Sequence, residues 1–71
     1  MNIMDKCIAL KTFMEKQQLY DCKFIVSIEL WAKICSDYML NPSDYLLLGY
    51  PVEIDSKAVD DEPKMTVRLY E

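Results

Sequence analysis

Residues 22–39 read CKFIVSIELWAKICSDYM, and the change of period inside this stretch decides the fold class. Phe24, Ile25 and Val26 form an unbroken apolar run of β-formers. That run predicts a strand over 22–27 with both faces buried, the pattern of a central strand. Ser27 then offers a side-chain oxygen to the free amides of a helix start, and Glu29 suits the positive end of the helix dipole. Beyond it Leu30, Trp31, Ile34, Cys35 and Tyr38 share one face, with Glu29, Lys33, Ser36 and Asp37 opposite, so a helix is predicted over 28–39. Asn41-Pro42 stops it, because the residue before proline avoids the α region, and Ser43-Asp44 continue the turn.

Toward the N-terminus, Ile3, Cys7, Leu10 and Met14 recur at steps of four, three and four, widened by Met4 and Ile8. This spacing predicts a helix over 3–18 with Asn2 as its cap. Asp5, Lys6, Lys11, Thr12, Glu15 and Lys16 take the other side, and Phe13 falls off the stripe. The near-heptad spacing suits packing on the domain's own sheet better than a helix-mediated dimer, since two heptads are too few for an isolated coiled coil.

Toward the C-terminus, residues 45–55 (YLLLGYPVEID) read as a strand entered through an irregular stretch, with a bulge or close approach at Gly49 and a strand start or edge position at Pro51. Val52 and Ile54 then face one way, Glu53 and Asp55 the other. Residues 56–64 are a charged loop and 65–70 a last strand, with Met65, Val67 and Leu69 inward and Thr66, Arg68 and Tyr70 outward. The last two strands are expected to form an antiparallel hairpin, with Arg68 pairing across to Glu53 or Asp55. The whole reads as a single α+β domain over 1–71. It is a two-layer α-β-α-β-β arrangement in which a small three-stranded mixed sheet packs against two helices.

Composition then narrows the function. The chain has 71 residues, 52% of them hydrophobic, enough for a core but a thin one at this size. It has no histidine, which removes the commonest general base and the usual partner of a serine or cysteine nucleophile. One glycine cannot build a phosphate cradle. Cys7, Cys22 and Cys35 form no C-x-x-C, so no zinc ribbon or redox pair is expected. Cys7 and Cys35 read as small core residues, and Cys22 has Lys23 beside it but no base. Charges at Asp5, Lys6, Lys11, Glu15 and Lys16 break any apolar leader, and no run approaches a membrane span. Free thiols in a reducing cytosol, no cofactor, no metal and no membrane are the expectation.

Net charge is −4, and residues 53–62 (EIDSKAVDDE) hold all of the excess, with five acids and one lysine. Direct nucleic-acid binding is not expected of such a chain, because it needs cations against phosphate. Glu53, Asp55, Asp60, Asp61 and Glu62 read either as a solvated loop or as a surface for a basic partner. They lack the alternating ligands and central glycine of a calcium loop. Carboxylates could do acid–base work only if burial separated their pKa values, which a polar loop does not suggest, so no enzyme is expected. Trp31 and Tyr38 read as core, whereas Tyr50 and Tyr70, at strand edges, read as partner contacts.

Residues 24–55, from FIVSIELWAKI to NPSDYLLLGYPVEID, resemble a stretch of the tailed-phage major capsid fold. There a strand leads to a helix with a W-x-x-I core, and an L-x-G-x-P-V strand follows. Here those positions are Trp31 to Ile34 and Leu47 to Val52. The chain also resembles, in style, the short acidic accessory proteins of phages and prophages. The resemblance implies a phage accessory protein in the host cytoplasm. The residues themselves point to a non-catalytic protein–protein interaction module that binds a protein partner, itself included. The alternative is an acidic inhibitor that occupies the basic groove of a host nucleic-acid enzyme.

Overall fold

Both predicted helix starts form through their caps in the computed structural model, which describes residues 2–68. The Asp5 amide donates to Asn2 Oδ1 at 2.8 Å and opens α1, Ile3–Lys16. The Leu30 amide donates to Ser27 Oγ at 3.1 Å and opens α2, Ile28–Tyr38. Between them runs β1, Cys22–Val26. After α2, Met39 takes a left-handed conformation and lies 94% exposed, and a short 3-10 turn follows at Pro42–Asp44. Three strands complete the chain: β2, Leu46–Leu47; β3, Tyr50–Ile54; and β4, Lys64–Val67.

The fold is α+β, with a four-stranded mixed sheet in the order β2-β3-β1-β4. β1 pairs parallel with β3, Phe24 against Val52, and antiparallel with β4, Phe24 against Met65. Two expectations are corrected here. Residues 45–55 are not one strand entered through an irregular stretch but two strands joined by a tight turn. Leu48 (φ 53°) and Gly49 (φ 85°) both sit in left-handed backbone, which reverses the chain between β2 and β3. That adds the fourth strand. It also means that the six residues Leu47 to Val52, which resembled a capsid strand, form a hairpin. Second, the last two long strands do not pair with each other. β1 lies between them, and the acidic loop crosses the end of β1 to reach the far edge. The continuous Phe24-Ile25-Val26 run signals this position, because a central strand needs a neighbour on each side.

Both helices cover one face of the sheet. Cys7 from α1, Leu30, Trp31, Ile34 and Cys35 from α2, and Phe24, Val26, Leu47 and Val52 from the strands form one buried cluster. Trp31 anchors it. Its Nε1 donates to the Pro42 carbonyl at 3.2 Å and its ring stacks on Tyr45, centroids 6.2 Å apart. The helical faces are narrower than the sequence suggests: Ile8 and Tyr38 are exposed, and so is Phe13, the residue off the stripe.

Candidate functional site: the open sheet face and its free edge

Strand alternation sorts the sheet residues into two sets. Cys22, Phe24, Val26, Leu47 and Val52 point to the helices and are buried, and Tyr50, Ile54 and Met65 pack half-buried on the same side. Lys23, Ile25, Leu46, Pro51, Glu53, Lys64 and Thr66 point the other way, where no element covers them among the described residues. β1 is therefore buried on one face and half-buried on the other, not fully buried on both. Apolar Ile25, Leu46 and Pro51 share the open face with an ion pair, Lys23 Nζ to Glu53 Oε1 at 2.7 Å. Arg68 does not reach Glu53 or Asp55. Its guanidinium lies 3.8 Å from Asp21, because Arg68 stands opposite Asp21 in the β1–β4 register and its amide donates to the Asp21 carbonyl at 2.8 Å.

The same bond sets the polarity of the edge. In an antiparallel pair, residues of one parity turn their amide and carbonyl toward the neighbour and the others turn them away. Arg68 bonds inward, so Lys64 and Thr66 do too. Met65 and Val67 aim their backbone groups outward, where no strand lies beyond β4 among the described residues. Beside this edge, α1 presents Ala9, Leu10 and Phe13 against Pro63. They line an open groove of about 430 Å³ rimmed by Lys6, Glu62 and Lys64. Phe13 is 61% exposed there and Pro63 is buried. Its position off the core stripe was the only trace of this groove in the sequence.

The acidic residues do not act as one front. Glu53 is paired on the open sheet face, and Asp55 turns back to accept the Lys57 amide at 2.9 Å. Asp60, Asp61 and Glu62 remain exposed in the loop, which Lys6 Nζ ties to α1 by donating to the Asp61 carbonyl at 3.1 Å. Among the described residues, no three acidic or cysteine side chains stand close enough to hold a metal ion. Among the same residues, no helix is long and apolar enough to cross a membrane.

Tyr50 lies on the helix side of the sheet, packed half-buried against the core. Its ring meets Phe24 edge to face at 6.3 Å, and its hydroxyl donates to Glu15 Oε1 at 3.2 Å. Desolvation and the Glu15 carboxylate both raise the Tyr50 pKa. Lys11, 2.9 Å from Glu15, lowers that carboxyl's pKa and is itself raised by the contact. Tyr70 and Leu69 lie outside the described residues. The three cysteines are free and buried, and burial pushes the Cys7 thiol up to about 11. Burial also raises Cys22, with help from Asp21, and Cys35. Raised thiols hold back the thiolate that nucleophilic chemistry uses. Comparison with family models, with curated proteins and with solved structures finds no match to this chain.

Proposed function

We propose that this chain is a non-catalytic protein–protein interaction module that associates with copies of itself. The observation that carries the reading is the one-sided layering. Two helices cover one face of the sheet, while among the described residues the other face keeps Ile25, Leu46 and Pro51 uncovered and the β4 edge has no neighbouring strand. Open strand edges and apolar sheet faces are surfaces that other chains complete. A domain of 71 residues also buries little of its unfolded surface, so association adds stability that its own core lacks. The role as a phage or prophage accessory protein in the host cytoplasm rests on the resemblance of residues 24–55. The acidic-inhibitor reading draws less support, because Glu53 and Asp55 are engaged elsewhere and only three carboxylates front the loop.

Sedimentation equilibrium over a dilution series tests the reading. A mass that climbs reversibly above 8.4 kDa with concentration is the expected result. A constant monomer mass into the millimolar range removes self-association.

A further inference from the structure

We propose that two copies of this chain join edge to edge through β4, in an antiparallel two-fold pairing centred on Met65 that merges their sheets into one. The proposal rests on the self-association reading and gives it a seam and a register.

Backbone polarity limits the choices. Met65 and Val67 carry the outward amides and carbonyls, so a two-fold seam must set these residues against outward-facing residues of the second copy. For the axis to lie within β4 and for all of β4 to face described residues, it passes through position 64, 65 or 66. An axis at 64 sets Lys64 against Lys64 of the second copy. An axis at 66 sets Lys64 against Arg68 of the second copy, twice. Like charges directly opposite each other disfavour both. An axis at 65 sets Arg68 against Glu62 of the second copy, twice by symmetry, and Lys64 against Thr66. Met65 then exchanges both backbone bonds with its counterpart, and the Val67 amide meets the Pro63 carbonyl. Pro63 lacks an amide, but it precedes β4 and so costs no bond to β1. An axis at 64 also sets Arg68 against Asp60, so what singles out the axis at 65 is that it alone of the three sets no like charges opposite each other.

The helix layer supports the same seam. The groove of Ala9, Leu10, Phe13 and Pro63 flanks the edge on the helix side. A second copy placed by the Met65 register brings its own α1 flank toward this groove. Phe13, 61% exposed in the single chain, is then covered. An edge strand alone gives main-chain bonds with little specificity, whereas an adjoining apolar shelf and paired charges fix the partner.

The test uses the full chain. Met65→Pro deletes an outward amide and leaves every β1–β4 bond in place, so it should lower dimer affinity at least tenfold while far-ultraviolet dichroism stays native. Glu62→Arg should do the same by placing like charges across the seam. The double variant Glu62→Arg with Arg68→Glu should regain most of the lost affinity. Should Met65→Pro unfold, the charge exchange still decides the matter. If Glu62→Arg dimerises as tightly as the parent, or the exchange fails to rescue it in a folded chain, the seam is wrong although self-association stands. A parent chain that stays monomeric throughout overturns both, and leaves the edge to an extended segment of another protein.

Discussion

Ser27 is the residue on which strand becomes helix, and among the described residues it is the one polar residue in the buried set. Its hydroxyl accepts the Leu30 amide inside the core, so removing it strands a donor that water cannot reach. Ser27→Ala should cost about 1–2 kcal/mol, measured by urea unfolding followed through the single tryptophan, Trp31. Asn2→Ala removes the equivalent cap from α1 in full solvent and should cost less, about 0.5–1 kcal/mol. Cys7 gives a pH signature. Its thiol is fully buried and titrates near 11, against 9.0 when free, so above pH 9 the unfolded chain releases a proton that the folded chain keeps. Stability contributed by the neutral thiol is therefore complete below pH 9 and lost as pH rises through about 11. The loss amounts to about 3 kcal/mol. Cys7→Ala should flatten that alkaline limb in denaturation curves taken from pH 7 to 11. The caps and the burial of Cys7 and Cys35 were legible from the chain, since both follow from local spacing, whereas the burial of Cys22 was not read from it. The Tyr50 environment was not, because its partner Glu15 lies 35 residues away on another element.

The β2–β3 hairpin turns on two residues, and one of them is ill suited to it. Leu48 holds φ 53°, a conformation that asparagine adopts at lower cost, and it precedes Gly49 at φ 85°. Leu48→Asn creates the favoured Asn-Gly turn and should stabilise the domain by about 1 kcal/mol in chemical denaturation. Gly49→Ala should destabilise it by about 1 kcal/mol through backbone strain alone, since nothing lies within 4 Å of an added Cβ. The unusual leucine explains why this turn was read as strand interior: Leu46-Leu47-Leu48 carries no turn signal, and a lone glycine reads as readily as a bulge. The misplaced partner of β4 has a different cause. Residues 55–63 are long enough to connect adjacent or non-adjacent strands, and local pattern cannot choose between them. The reading of β1 as a central strand fits the observed order, with β3 on one side of it and β4 on the other. Lys23 and Glu53, neighbours only because β1 and β3 run parallel, became a pair through that topology.

At the scale of the molecule, the described residues form a sheet with one covered face, a short β2 edge and a β4 edge with no strand beyond it. The α+β class was legible because helical and strand periods alternate cleanly along the chain. The proposed docking surface was not, because it is assembled from the flank of α1, the entry to β4 and the polarity of a single β1–β4 bond. Excess negative charge, the most conspicuous feature of the sequence, is split by folding between the open face and the loop. A small core also makes stability responsive to association. If dimers form, folding is coupled to assembly, and the apparent melting temperature must rise with protein concentration. For a dimer that unfolds to two chains, a hundredfold increase in concentration contributes roughly 1.4 kcal/mol per chain. In a domain of this size that is a shift of about 6–10 °C. Scanning calorimetry at two concentrations a hundredfold apart measures it directly. The folded Met65→Pro chain, lacking the seam, should melt at one temperature regardless of concentration. Addition of salt separates the contributions: screening weakens the exposed Arg68–Glu62 attraction across the seam, so the melting temperature at a fixed concentration should fall as ionic strength rises. The apolar contact of Phe13 should persist, which keeps the chain dimeric and its melting temperature dependent on concentration at high salt. A melting temperature independent of concentration in the parent chain would mean that the sheet edge is not closed by a second copy.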